Sequence, residues 1–323
     1  MSALPAYQSL EFTQPTTTAT GGFSSPPVAA LIGNTPLFEL RKVTAGLPSL
    51  VRVYAKAEWY NPGGSIKDRA AWFMLRQAIA DGYLINGRRV LDATSGNTGI
   101  ALSMLGAALG VGVTLCVPSN ASPERKRILA AYGAEVIYTD PMHSTDGAQA
   151  VARELAARHP DKYHYLNQYA NPANVHAHTA TTGPEIWRQT RGEITHFISG
   201  LGTTGTFVGT GRYLKARAPH VKLYSFQPDG PLHGLEGLKH LPSVHVPEIY
   251  DPKLAHGNIE VSTEEAYGML KRLASEEGLL VGVSSAAAAV AALKLAKTLR
   301  EGLVVTIFPD AADKYLSSSF WES

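Results

Sequence analysis

Apolar residues along this chain fall into short blocks of alternating kind. Runs rich in β-branched and aromatic residues stand at VRVYAKA (51–57), RRVLDA (88–93), VGVTLCV (111–117), EVIYT (135–139), ITHFIS (194–199), VKLYSF (221–226) and LVVTIF (303–308), and these predict strands. The stretches between them predict helices over 67–81, 98–109, 122–132 (with Pro123 near its start), 145–158, from about 204, over 262–277 and over 284–298. The strands are apolar runs rather than alternating ones, the pattern of parallel strands covered by helices on both faces. The expectation is an α/β protein.

Three stretches depart from this rhythm. Ile100–Val117 carries no charge and reaches the roughly 18-residue length of a membrane span. Gly110 and Gly112 cut it, Ser103 and Thr114 dilute it, and no aromatic or basic anchor flanks it, so it reads as a buried helix followed by a buried strand. Residues 229–257 are irregular, with scattered Pro, His and Gly, and are expected at the mouth of a functional site. Residues 1–27 are rich in Thr, Ser and Pro, which predicts a disordered tail without the pattern of a secretory leader.

Composition narrows the classes. At 323 residues the expectation is two lobes with a full core. A single cysteine excludes an internal disulfide and a cysteine-rich zinc site. The 29 basic and 27 acidic residues form no basic stripe, which argues against nucleic acid as a partner.

The candidate chemistry lies in four motifs. DATSGNTG (92–99) and SGLGTTGTFVGTG (199–211) each follow a predicted strand and open a predicted helix. Small residues there let backbone approach a ligand, and the helix start offers N–H groups to an anion. Two such cradles point to two anionic groups, such as a phosphate and a carboxylate. GLGTTG (200–205) also satisfies the dinucleotide fingerprint, so a nicotinamide-dependent dehydrogenase is a rival. Its expected acidic residue is poorly matched, because the next strand ends at Gln227 and Asp229 comes late. NPGGSIKDRAAWFML (61–75) puts Lys67 at a helix start, where the dipole opposes its charge and suits a nucleophilic amine. The plainer reading is a solvated lysine paired with Asp68. GLLVGVSSAAAAV (278–290) puts Ser284 and Ser285 at the start of an Ala-rich helix, where N-capping alone would account for them. His176 and His178 look like a metal pair but have no third ligand, so no metal is expected, and Cys116 reads as a small core residue.

In this order and at these separations the four motifs resemble those of the cysteine synthases, pyridoxal-phosphate enzymes of fold type II (tryptophan synthase β-like). The resemblance runs from IGNTPL (32–37) to DKYLS (313–317), and NQYANPAN (167–174) and HVPEIYDP (245–252) strengthen it. The lysine and TSGNTG motifs are shared with cystathionine β-synthase, while GLGTTGT and EIYDP look closest to the cysteine synthase B branch. The resemblance implies two three-layer α/β/α lobes with mostly parallel twisted sheets. The larger, 28–58 plus 166–323, would bind the cofactor phosphate, and the smaller, mobile one, 59–165, the substrate carboxylate.

It further implies pyridoxal 5′-phosphate held as an aldimine by Lys67, which would afterwards take the α-proton. Asn97 would meet the pyridoxal 3′-oxygen, Gly202, Thr203, Thr204, Gly205 and Thr206 would form the phosphate cup, and Ser284 would face the pyridine nitrogen. Thr94, Ser95, Gly96, Thr98 and Gln168 would grip the substrate carboxylate. The implied reaction is a β-replacement making L-cysteine from O-acetyl- or O-phospho-L-serine and a sulfur donor, through an α-aminoacrylate. A homodimer in the cytoplasm is implied, with a sulfur-carrier protein or serine acetyltransferase as possible partner and neither nucleic acid nor membrane. Three departures stand out: Gln227 for a family Glu, Ala286 for a family Gly, and LEGLKHL (235–241) for a backbone-only loop. Lys239 in that loop is the candidate partner for a phosphate leaving group; a solvated loop lysine is the alternative. Other readings are a cystathionine β-synthase and a catalytically silent, cofactor-binding regulatory homologue.

Overall fold

The computed structural model describes residues 25–94 and 96–321. The tail expected over 1–27 lies outside the described residues through 24; from Pro26, which is buried, the chain is tied down, and Pro27–Leu31 forms a 3₁₀ turn.

Ten strands among the described residues form two sheets. The strands are β1 (Leu37–Glu39), β2 (Leu50–Ala57), β3 (Arg89–Ala93), β4 (Val113–Pro118), β5 (Glu135–Thr139), β6 (Tyr163–Tyr165), β7 (His196–Gly200), β8 (Lys222–Pro228), β9 (Gly257–Val261) and β10 (Glu301–Phe308). One sheet has the order β1-β2-β10-β7-β8-β9 and the other β5-β4-β3-β6. Only β1 runs antiparallel to its neighbour; every other pairing is parallel. The α/β class with mostly parallel sheets is therefore the observed one.

The helices are α1 (Lys67–Ala80), α2 (Asn97–Leu109), α3 (Pro123–Ala131), α4 (Ser144–Arg158), α5 (Pro172–Ala177), α6 (Gly183–Gln189), α7 (Gly205–Arg217), α8 (Thr263–Arg272) and α9 (Val283–Ala296). Their ends follow local chemistry. Ser122 caps α3 by accepting from the Arg125 amide, and Ser262 and Glu265 make a reciprocal capping box on α8. Gly110, at φ 68°, closes α2 in a left-handed conformation that costs glycine little. The uncharged run 100–117 is thus a buried helix and a fully buried strand, β4.

Both faces of each sheet are covered, as the apolar strands require. α8 and α9 pack on one face of the larger sheet, around Val53, Ile198 and Val304. Phe197, Phe207, Val305 and Ile186 form the core on its other face. α1 and α2 cover one side of the smaller sheet, and Ala148 and Ala152 of α4 the other.

The differences from the expected elements have local causes. β1 and β6 have three residues each, too short for any periodicity to show. Residues 172–189 form α5, a π-helical turn at His178–Thr182 and α6, a region where Pro172, Gly183 and Pro184 mask a helical pattern. The helix expected over 262–277 changes to a π turn at Leu273–Glu277 and stops at Gly278, φ 72°.

Candidate active site

Strands of both sheets send their C-terminal ends towards one cavity of about 370 Å³. In open α/β sheets that is where ligands bind, because loops there are free of the sheet and the following helices point their N-termini inward. β3 ends at Ala93 and delivers Thr94, Gly96 and Asn97, and β7 ends at Gly200 and delivers Gly202, Thr203, Thr204 and Thr206. β10 pairs with β2 up to Phe308↔Ala57, so Pro309 and Asp310 emerge beside the loop that leads into α1. A bridge between Ser65 and Asp310 and a hydrogen bond from the Ile66 amide to Pro309 O (3.0 Å) lock that loop in place.

Lys67 is the first residue of α1 and lines the cavity. Its side chain has no hydrogen-bond or ion-pair partner among the described residues. Asp68 turns away: its Oδ2 accepts from the Gly63 amide at 2.5 Å, so the pairing with Lys67 does not form. Burial pushes the Lys67 ammonium below its usual range, against the opposing pull of the Asp310 carboxylate. The amine is thereby biased towards its neutral, nucleophilic form.

The loop before α2 is tied internally. Thr94 Oγ1 accepts from the amides of Gly96 (3.0 Å) and Gly99 (3.3 Å). The Thr98 hydroxyl donates to Gln168 Oε1 at 2.7 Å, and Gln168 Nε2 donates to Ala93 O at 2.8 Å. Thr94, Gly96, Thr98 and Gln168 all line the cavity, and their mutual bonds hold the start of α2 against it. Ser95 lies outside the described residues.

The loop before α7 is strained and crowded. Thr204 has φ 69°, costly for a β-branched residue, and its buried Oγ1 has no partner. A Cβ on Gly202 would run into the carbonyl oxygen of Gly237, and one on Gly205 into the Asn174 side chain. Asn174 Nδ2 donates to Thr203 Oγ1 (3.1 Å), and His178 Nε2 faces Thr206 Oγ1 (3.3 Å) while its Nδ1 faces Thr182 Oγ1 (2.9 Å). Burial holds His178 well below the usual imidazole range, which favours its neutral form, and both ring nitrogens face threonine hydroxyls. An acceptor-rich anion fits here: three threonine hydroxyls, one of them orphaned, stand at the N-terminus of a 13-residue helix. With the unpaired amine of Lys67 on the same cavity, the residues present fit pyridoxal phosphate.

Segment 229–257 supplies one wall through His233, Leu235, Glu236, Leu238 and Lys239. Its start is anchored by Gln227, whose Oε1 accepts from the Leu241 amide (3.2 Å). Lys239 is not a solvated loop residue. It is 8% exposed, and its Nζ pairs with Asp146 Oδ1 of α4 at 2.9 Å and lies 5.1 Å from the centre of the Tyr169 ring. Arg125 of α3 pairs with Glu236 at 2.5 Å, so two ion pairs join this segment to the helices of the smaller sheet. Ser284 lines the cavity, while the buried Ser285 hydroxyl donates to Asp310 O (3.0 Å). Ala286 is fully buried within α9.

Sequence reasoning missed Asp310, Asn174 and Arg125, and treated His178 only as a false metal ligand. Asp310 accepts at Oδ2 from Asn97 Nδ2 (2.7 Å) and the Tyr315 hydroxyl (2.5 Å). The only signal was its position just after an apolar strand, three residues before DKYLS.

Known proteins resemble this chain over most of its length. The family described as pyridoxal-phosphate dependent enzyme matches residues 28–310. A cysteine synthase of Aquifex aeolicus is 48% identical over 299 residues, covering 91% of each protein. Cysteine synthase B of Pseudomonas aeruginosa is 40% identical over 92% of this chain and 98% of its own length. The crystal structure of a cysteine synthase from Entamoeba histolytica superimposes with a TM-score of 0.87 at 33% identity, covering 96% of this chain and 95% of that one.

Proposed function

The chain belongs to the pyridoxal-phosphate dependent enzymes, and from that premise we propose how its residues divide the work of making L-cysteine from an activated L-serine and a sulfur donor. The carrying observation is the placement of the Lys67 amine, the α2 amides and the α7 cup around one cavity. Lys67 would hold the cofactor, Asn97 and Ser284 would meet its ring, and Gly202, Thr203, Thr204, Gly205 and Thr206 would hold its phosphate. When bound, pyridoxal phosphate supplies an electron sink for charge at a substrate's Cα.

The protein's own groups supply orientation and proton handling. The α2 amides bind and orient the substrate carboxylate, with Thr94, Ser95, Gly96, Thr98 and Gln168 fixing that loop. Lys67 Nζ, biased towards its neutral form by burial, would accept the α-proton. At Cβ the bond to oxygen breaks with loss of acetate or phosphate, and a bond to sulfur forms. Lys239 lines the same cavity and would pair with a dianionic leaving group once released from Asp146.

Lobes comprising 28–58 plus 166–323 and 59–165, the latter mobile, belong to the same proposal. So do a cytoplasmic homodimer and a sulfur-carrier protein or serine acetyltransferase as partner. No helix among the described residues is long and apolar enough to cross a membrane.

The test is a product assay on purified protein with O-acetyl-L-serine and O-phospho-L-serine against a panel of sulfur donors, alongside Lys67→Ala. Wild type is expected to bind pyridoxal phosphate with a visible absorption band and to form cysteine, and Lys67→Ala to do neither. Unchanged turnover in Lys67→Ala would sink the assignment.

A further inference from the structure

We propose that Asp310 is the positioning residue of this site: it holds the Asn97 amide in one orientation and stands as the counter-charge to Lys67 whenever that lysine carries a proton. The proposal rests on the reading of Lys67 as the proton-accepting amine.

The first part is geometric. A carboxylate only accepts hydrogen bonds, so Asp310 Oδ2, 2.7 Å from Asn97 Nδ2, decides which end of that amide faces it. One Asn97 N–H is thereby used, and the second N–H and the buried, unpartnered Oδ1 remain for a ligand. The Tyr315 hydroxyl, 2.5 Å from the same Oδ2, leaves the carboxylate little freedom to turn. Asp310 Oδ1 lies against Gly282, where any Cβ would strike it, so the glycine of the GVSS motif makes room for this carboxylate. The Asp310 carbonyl also accepts from the Gly282 amide (3.1 Å) and the Ser285 hydroxyl (3.0 Å). One residue thus joins the Lys67 loop, the Asn97 loop and the start of α9.

The second part is electrostatic. When Lys67 Nζ takes a proton, the substrate C–H bond breaks, an N–H bond forms and the electron pair stays with the substrate. An ammonium in a buried site is costly unless an anion stands near it. The Ser65–Asp310 bridge and the Ile66–Pro309 hydrogen bond set Asp310 beside the start of α1, and its carboxylate field opposes the effect of burial on Lys67. Asp310 is itself buried, and burial raises its carboxyl above the usual range. Lys314, Tyr315, Asn97 and Arg125 pull the other way and offset part of that rise. No proton passes to Asp310 in this scheme; its charge alone acts.

The experiment compares wild type with Asp310→Asn, which keeps size and acceptor but removes charge. Melting temperature, the pH dependence of the bound cofactor's absorption, and kcat and KM are measured. Asp310→Asn is expected to fold and bind pyridoxal phosphate. The pH midpoint of its absorption change should fall by about one pH unit, because a lost nearby carboxylate lowers a cation's pKa. Its kcat should drop about tenfold with KM nearly unchanged. Tyr315→Phe, which removes a donor that favours the ionised carboxylate, should move the midpoint the same way by less. An unmoved midpoint and unchanged kcat in folded Asp310→Asn overturn the proposal; if that variant is insoluble, an unmoved midpoint in Tyr315→Phe does so. A wild type with no cofactor band would instead overturn the reading of Lys67.

Discussion

Glu185→Gln should destabilise the protein by about 3 kcal/mol at neutral pH, although this residue touches no part of the cavity wall. Glu185 belongs to a buried cluster with Glu58, Arg69 and Lys56. Arg69 donates to both oxygens of Glu185 (2.7 and 2.8 Å) and to both of Glu58 (2.7 and 2.9 Å). Lys56 Nζ lies 2.8 Å from Glu185 Oε2. Two cations balance two carboxylates, and none of the four side chains is more than 6% exposed. Replacing Glu185 by Gln keeps the shape, leaves one uncompensated positive charge and turns an amide N–H₂ towards donors.

The magnitude comes from the carboxyl itself. Burial raises its pKa, but Arg69 and Lys56 outweigh burial and hold it at about 2, against an ordinary 4.5. That difference, at 1.36 kcal/mol per pKa unit, amounts to about 3 kcal/mol, within the range for breaking a buried pair. The pKa is depressed on folding, so the contribution is complete above about pH 4.5 and is lost as pH falls towards about 2. The gap between wild type and variant should therefore narrow to about 2 kcal/mol near pH 3.5. Denaturant unfolding followed by tryptophan fluorescence at both pH values reads this out. A gap below about 0.5 kcal/mol at neutral pH, the size of an ordinary surface substitution, would refute the reasoning.

Gly202→Ala should weaken pyridoxal phosphate binding, because its methyl group meets the Gly237 carbonyl and the two loops must part, an overpacking cost of about 1–3 kcal/mol; equilibrium titration of the cofactor measures it, and wild-type affinity would contradict the geometry. Lys239→Ala should lower kcat/KM for O-phospho-L-serine more than for O-acetyl-L-serine, and equal losses in side-by-side assays would remove Lys239 from leaving-group recognition. Cys116→Ser should cost about 1–3 kcal/mol through a buried hydroxyl and leave kcat unchanged. Burial has already pushed the Cys116 thiol up to about 12, so a folded Cys116→Ser that loses turnover would show a thiol role that this environment disfavours.

Much of the fold was legible because its signals are contiguous. α2 and β4 are apolar runs separated by glycines, and the two Gly-rich loops each occupy a few successive residues between a strand and a helix. Short or edge elements were not legible. β1, β6 and the α5–α6 region have no periodicity of their own and exist because a neighbour pairs or packs with them.

The site was legible to the same degree and for the same reason. Lys67, Asn97 and Gly202–Thr206 sit in local motifs, but what governs their chemistry comes from far along the chain. Asn97 and Asp310 are 213 residues apart and 2.7 Å apart in space. In sequence His178 resembles one of a metal-binding pair, yet its ring faces inward to Thr206, 28 residues away. The helix dipole suggested a depressed pKa for Lys67; burial is the stronger cause, and whether a lysine is buried depends on what folds over it. A lysine at the same helix start facing water would pair with a neighbouring acid and keep its charge. Here Asp68 is drawn back to Gly63 and the cavity closes around the amine, so the tertiary fold makes the difference between a surface cation and a buried amine biased towards its neutral form.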